Sequence, residues 1–213
     1  MTLLLEILIR TLFIGSVFYT IILHEISHGL VADWLGDDTA KRRGRLSLNP
    51  LSHIDWFGTV ILPLLLYYTA GFIFGYAKPV PINPYNFDNY KRDTGLSAAA
   101  GPLCNILIAI LFAVIYHLLG VGALFTGLCV FIVQINLFLA LFNLIPIPPL
   151  DGSKVLGMFL SDDAYYKYTM QERTGMIVFL ALIVISNMFH LNLFGRFIFP
   201  VLRFLMHILG IYI

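Results

Sequence analysis

The sequence predicts an all-α polytopic membrane protein, with about five full transmembrane helices plus a re-entrant helix/strand element at 57–83. Three observations predict it. The 213 residues are 59% hydrophobic and 12% charged, with a mean hydropathy of +0.87. Soluble domains carry about 25% charged residues, so this chain cannot clothe a water-facing surface. Apolar runs approaching the ~20 residues that cross a bilayer recur at 3–32, 57–75, 96–119, 124–147, 175–190 and 194–212. Alternating β-barrel patterning is absent, which leaves helices to satisfy the backbone in lipid.

The run at 3–32 is too long, and too polar in its second half, for a cleavable signal peptide, so it is expected to stay in the mature protein. It ends in His24-Glu25-Ile26-Ser27-His28. Residues four apart on a helix share a face and lie about 6 Å apart along the axis. His24 and His28 can therefore grip one Zn²⁺, with Glu25 as general base toward a water activated by the metal. With 6 His in the chain, chance gives roughly 0.002 such matches. The competing reading is a structural metal completed by ligands elsewhere; hydrolytic metal chemistry is preferred.

The polar stretch that follows carries Lys41-Arg42-Arg43-Gly44-Arg45. This segment reads first as a solvated, headgroup-facing anchor. Thr39 to Leu48 has weak strand character, so an edge that docks an extended substrate is the second reading. His53 is a tempting extra ligand, but three protein ligands suffice for a catalytic zinc. A loop histidine bonded to backbone or water is the preferred reading; Asp55 would orient it or cap a helix. Within 57–75, Pro63, Gly71 and Gly75 offer breaks, and Tyr76 to Asn83 alternates with prolines like an extended strand.

The run at 96–119 holds Ala98-Ala99-Ala100-Gly101, a small-residue surface expected to pack against the metal-bearing helix. The run at 124–147 leads into Asn143-Leu-Ile-Pro-Ile-Pro-Pro-Leu-Asp151-Gly152. A carboxylate closing so apolar a helix is costly unless paired or metal-bound, which makes Asp151 the best remaining third ligand. A helix N-cap is its alternative role, and the two can coexist. Pro146, Pro148 and Pro149 remove backbone donors and stop regular helix, so a wet cavity is expected there. Gly152 gives close approach before a helical stretch from Ser153 to Leu160. Asn105 and Asn143 either glue helices together or polarise a peptide carbonyl; Asn143 leans to the second role and Asn105 to neither. Cys104 and Cys129 read as small packing residues. His117, His190 and His207 read as interfacial or packing residues. No polar stretch is long enough for a separate soluble domain. One membrane-embedded domain over 1–213 is expected, with a catalytic core at about 3–160 and a further helical hairpin at about 172–213.

HEISH on the first helix, Ala100-Gly101-Pro102-Leu103-Cys104-Asn105 on a middle one, and Asn143…Pro146…Leu150-Asp151-Gly152 later resemble the site-2 protease family of intramembrane zinc metalloproteases. The motifs stand in the family's order and cover residues 20–155. Asn49-Pro50-Leu51 and Lys78-Pro79-Val80-Pro81-Ile82-Asn83-Pro84 are similar to its compact form without PDZ or CBS domain. The resemblance implies His24, His28 and Asp151 as zinc ligands and Glu25 as catalytic base, and places Asn143 near the reacting carbonyl. Asn143, Asn105 and His53 are the candidate substrate or transition-state contacts.

Ligation also constrains topology. His24, His28 and Asp151 must meet at one depth near the far ends of their helices, so those helices run in the same direction. A full crossing by 57–75 would reverse the helix that ends at Asp151. A helix that enters and a strand that returns restores the parity. The positive-inside rule agrees: Lys41, Arg42, Arg43 and Arg45 before that element, and Lys91 and Arg92 after it, fall on one side only if it does not cross. Lys154, Lys167 and Arg173 join them on the cytoplasmic side, while Arg10 and Arg196 sit toward the other. The active site and the C-terminus are thus expected to be cytoplasmic and the N-terminus exterior.

The expected activity is hydrolysis of peptide bonds in or near the transmembrane segment of a membrane protein, with one Zn²⁺ per chain. The expected partners are the lipid bilayer and a single-span membrane protein, or the membrane stub left by an earlier cut. A net charge of +1 gives no electrostatic ground for nucleic acid. The alternatives are a zinc-binding membrane transporter, which needs several ligand sets along a path, and a non-catalytic membrane-protein-binding relative. Small size and no organellar targeting point to a prokaryotic plasma membrane.

Overall fold

The computed structural model describes residues 3–71, 75–120 and 122–212, and its regular elements are helical, with no strand among the described residues. The elements are α1 (Leu3–Trp34), α2 (Thr39–Arg42), α3 (Leu62–Ala70), α4 (Tyr90–Leu119), α5 (Ala123–Asn143), α6 (Asp151–Gly157), α7 (Asp162–Met170), α8 (Glu172–Met188) and α9 (Leu193–Ile208). A π-helical turn at Trp56–Ile61 leads into α3, and short 3₁₀ turns lie at Pro50–His53 and Pro84–Asn86.

Three helices, α1, α4 and α5, are long and apolar enough to cross a membrane, or up to four if α7 and α8, bent by 56°, form one broken span. Among the described residues, the expected count of about five full crossings is not confirmed. α8 and α9 have 17 and 16 residues, about 26 and 24 Å at 1.5 Å per residue, against a hydrocarbon core of about 30 Å. The fourth apolar run ends as helix at Asn143, not at residue 147. Pro146, Pro148 and Pro149 lack the amide hydrogens needed to continue it.

α4 is the hub. It packs against α1, α5 and α6, and its buried face is built largely of small residues: Gly95, Ser97, Ala98, Ala100, Gly101, Ala109 and Ala113. Small side chains let backbones approach where helix association depends on van der Waals contact. Farther along, Ala109 and Ala113 meet Val133 and Leu137 of α5 and Leu202 and Met206 of α9 in the main apolar core. α1 is divided. Its buried residues run from Thr20 to Ala32, while Leu3, Leu4, Ile7, Leu8 and Leu12 are exposed. Asn136 of α5 donates to the Thr20 hydroxyl over 3.0 Å, pinning α5 to α1 where the buried half begins.

The segment after α1 leaves and comes back. The Tyr76 N–H donates to the Gly58 carbonyl (3.0 Å), the Lys78 N–H to the His53 carbonyl (2.9 Å), and the Thr59 hydroxyl to the Tyr76 carbonyl (3.0 Å). Residues 76–78 therefore lie beside 53–59, and the hairpin closes at the level from which it departed. Its outward limb is the π-turn and α3; residues 72–74 of the expected re-entrant element lie outside the described residues. The return limb is extended, but it forms no strand, because Pro79, Pro81 and Pro84 cannot donate to a ladder. The weak strand expected at Thr39 to Leu48 is also replaced, by the turn of α2. Asp37 explains this: its carboxylate accepts from the Thr39 N–H (3.1 Å) and the Thr39 hydroxyl, and so turns the chain.

Asp37 has 0% exposure. It also accepts from the Asn83 N–H at 2.6 Å and the Asn86 amide at 2.7 Å, tying the end of the return limb to the end of α1. Burial opposes its ionisation, but the bonds from Thr39, Asn83 and Asn86 outweigh it and hold the carboxyl below its usual range. Stability from this group is present above its unfolded-state pKa and is lost as pH falls through the lowered folded value.

The hairpin predicts a labelling pattern. Single cysteines at Ser52 and Lys78 should react with an impermeant thiol reagent from the same side of the membrane as one at Arg92. Labelling of Ser52 and Lys78 from opposite sides would contradict the hairpin as a non-crossing element.

Candidate metal centre

α1 and α4 run antiparallel at the site, and matching four-residue spacings bring their side chains together. Ser97, Gly101 and Asn105 form an i, i+4, i+8 stripe on α4, facing His28 and His24 on α1. Nδ1 of His28 lies 2.8 Å from the Ser97 carbonyl and Nδ1 of His24 lies 2.7 Å from Oδ1 of Asn105. Both partners are acceptors, so each Nδ1–H donates and each Nε2 presents its lone pair to the centre. Between them, a Cβ on Gly101 would stand 2.5 Å from Cε1 of both histidines. Any other residue there displaces the rings.

Asp151 arrives from the far side of the α5–α6 turn. It is the first residue of α6, whose N-cap is Leu150, so its carboxylate makes no cap bond. The turn folds tightly onto the end of α5. A Cβ at Gly152 would overlap the Leu144 carbonyl, and the Ser153 N–H donates to the Leu150 carbonyl at 3.0 Å. Oδ2 of Asp151 consequently lies 3.1 Å from Nε2 of His24 and 3.4 Å from Nε2 of His28, and the two Nε2 atoms are 3.1 Å apart. Three lone-pair donors at this spacing repel one another unless a cation or proton lies among them. Their separations match the edge of a tetrahedron with arms of about 2.0 Å, roughly 3.3 Å. The donor set of two imidazoles and a carboxylate thus fits zinc with one position left open. Among the described residues it is the one such group of three or more potential ligands.

The centre opens into a cavity of about 420 Å³. Its walls come from the return limb (Pro79, Val80, Ile82), α4 (Tyr90, Thr94, Ser97), the proline turn (Pro148, Pro149) and α7 (Tyr165, Tyr168, Thr169). Glu25 lines it beside the histidines, with Oε2 accepting from the Val80 N–H at 2.9 Å. Asn143 lines it too; its Nδ2 donates to the Leu139 carbonyl at 3.0 Å. The structure therefore brings together His24, Glu25, His28, Asp151 and Asn143. It does not bring Asn105 to the cavity. That residue has 0% exposure behind His24, where it can orient an imidazole. His53 is likewise away from the cavity, buried in its 3₁₀ turn with Nε2 bonded to the Ser47 carbonyl (2.7 Å). This is the backbone-bonded arrangement that is the preferred expectation for His53.

Sequence reasoning missed the Ser97 carbonyl, the orienting role of Asn105, and the Val80 N–H. The first two carried a signal: Ser97, Gly101 and Asn105 repeat the four-residue interval of the two histidines. The third had none, since a backbone N–H is invisible to residue type. Asn105→Ala and Gly101→Ala should each lower zinc affinity, the first by about 10–100-fold, the usual effect of removing a ligand's orienting partner. Competition with a chromophoric chelator on the purified protein checks both.

The comparisons agree with the geometry. Residues 121–186, which include Asn143 and Asp151, match Peptidase family M50. The chain is 40% identical over 171 residues to "Putative zinc metalloprotease YwhC" of Bacillus subtilis, covering 76% of this chain and 75% of that protein. It is 33% identical over 154 residues to "Putative zinc metalloprotease MJ0611" of Methanocaldococcus jannaschii, covering 71% of each. It is 26% identical over 181 residues to "Putative zinc metalloprotease Rip2" of Mycolicibacterium smegmatis, covering 81% of this chain and 66% of that one. No solved structure matches the chain. The chain belongs to peptidase family M50, the site-2 protease family of zinc metalloproteases.

Proposed function

We propose that the protein is an intramembrane metalloprotease that binds one Zn²⁺ through His24, His28 and Asp151 and hydrolyses peptide bonds in or near a transmembrane segment of its substrate. The observation that carries the reading is the triangle of donor atoms 3.1–3.4 Å apart beside Glu25, built between helices of membrane length. When bound, zinc supplies Lewis acidity toward a water and a peptide carbonyl. Glu25 has one oxygen engaged by Val80 and the other available to take the water's proton and pass it to the leaving amine. Asn143, at the cavity wall, suits contact with the scissile carbonyl or its developing oxyanion.

The substrate must be locally unwound, because carbonyls of an intact helix are bonded and shielded. A single-span membrane protein, or the stub left by an earlier cut, meets that demand. The basic residues from Lys41 to Arg45 support a site toward the cytoplasmic side by the positive-inside rule, and a prokaryotic plasma membrane is the membrane we propose. The transporter reading is less well supported, because a permeation path needs successive ligand sets and the described residues hold one.

Glu25→Gln should retain zinc and lose cleavage by about 100-fold or more, the lower end of what a general base contributes. Membrane proteomics of cells expressing the parent or Glu25→Gln reads this as fragments that depend on the glutamate. Comparable turnover by the purified variant would remove Glu25 from its role; zinc flux into liposomes that disappears with Glu25→Gln would favour transport.

A further inference from the structure

The return limb of the hairpin is fastened to its surroundings at several backbone atoms. The Lys78 N–H is held by the His53 carbonyl at 2.9 Å, and the Asn83 N–H by Asp37 at 2.6 Å. Arg45 reaches in with Nη2, 2.8 Å from the Lys78 carbonyl and 3.3 Å from the Pro79 carbonyl. Pro79 and Pro81 have no N–H, and each restricts the residue before it to extended backbone. The result is a stiff arm in which Val80 is the one donor between Lys78 and Ile82, and that donor meets Oε2 of Glu25 at 2.9 Å. The Val80 side chain is buried as well. A Cβ added to Gly29, one turn beyond Glu25 on α1, would come 2.8 Å from its Cγ1, so the arm sits directly on the metal-bearing helix.

We propose that the Lys78–Asn83 arm is a positioning device for the general base: the Val80 N–H fixes the Glu25 carboxylate, and Arg45 and Asp37, neither of which faces the reacting atoms, act on catalysis by holding the arm in place. This rests on the protease reading of the site. A carboxylate on a side chain with three rotatable bonds samples several rotamers. Anchoring one oxygen leaves the other pointing in a single direction, and a misplacement of about 1 Å at a reacting group costs on the order of 100-fold in rate. The Pro-Val-Pro pattern then has a purpose beyond turning the chain. It supplies one backbone donor at a fixed place, with no neighbouring donor to compete for the same oxygen.

The test compares the parent with Val80→Pro, which deletes the N–H from an already extended run, and Val80→Ala, which keeps it. Arg45→Ala and Arg45→Lys form a second pair on a half-buried side chain whose loss leaves the helix contacts intact. Bound zinc, kcat and KM on a cleavable membrane substrate, and amide exchange across residues 78–83 are measured for each. Val80→Pro and Arg45→Ala should lower kcat by about 10–100-fold, with zinc content and KM close to the parent's. Val80→Ala and Arg45→Lys should recover most of the rate. Exchange at Val80 should also quicken by about tenfold or more in Glu25→Ala, which removes the acceptor. Parent-like kcat in both Val80→Pro and Arg45→Ala, or a loss that appears in KM or zinc content instead, would overturn the positioning role. If the parent cleaves nothing, the protease reading fails by itself. Exchange at Val80 then decides whether the tie to Glu25 exists, and an unchanged rate in Glu25→Ala refutes it.

Discussion

Everything near the site depends on the backbones of α1 and α4 coming close enough for two imidazoles to lie against a glycine. At Gly101 there is no space for a methyl group. That closeness lets the Ser97 carbonyl and the Asn105 side chain reach the two Nδ1 atoms from the same helix face. In lipid, where helices gain no hydrophobic driving force by meeting, such contact depends on small residues and on hydrogen bonds between polar groups. Ser97, Ala98, Ala100, Gly101 and Asn105 supply both. The stripe that packs the helices is the stripe that orients the histidines, so fold and site share their determinants.

The rest of the site follows from how irregular backbone is tolerated away from water. Two segments break regular helix beside the metal centre, and both are rich in proline: the return limb through Pro79, Pro81 and Pro84, and the turn through Pro146, Pro148 and Pro149. Proline lowers the number of amide donors that must find partners. Two of those that remain are met specifically, Val80 by Glu25 and Asn83 by Asp37. Carbonyls are met by Arg45 on one segment and by the Tyr168 hydroxyl, 2.9 Å from the Pro146 carbonyl, on the other. α7 thereby closes over the cavity, and Lys91 secures its start through the Leu160 carbonyl and Asp162.

Much of this was legible in the sequence, and for physical reasons. The four-residue spacing of His24 and His28 survives in any helix, and a carboxylate after an apolar run demands a partner, so the convergence of these three side chains could be anticipated from residue types. Parity could be anticipated too, since three ligands on two helices fix directions whatever the packing. What escaped was set by tertiary hydrogen bonds. Asp37 looks like any loop carboxylate until Asn83 and Asn86 arrive from residues more than forty positions away. His53 and Asn105 carry the right chemistry in the wrong orientation, one turned to a local carbonyl and the other sealed behind a ligand. The count of about five spans is not confirmed, because α8 and α9 are apolar but stop at 17 and 16 residues.

The ligand triangle joins positions 127 residues apart in the chain, His24 and Asp151. No local segment contains it, and no pair of adjacent helices completes it. A nascent chain therefore has no complete place for the ion until α1, α4 and α5 have docked and the proline turn has folded back. Because binding energy in such a centre is also folding energy, an ion held there would act as a late clasp that distinguishes an assembled bundle from helices merely inserted side by side. Stripping such an ion would then also loosen the bundle.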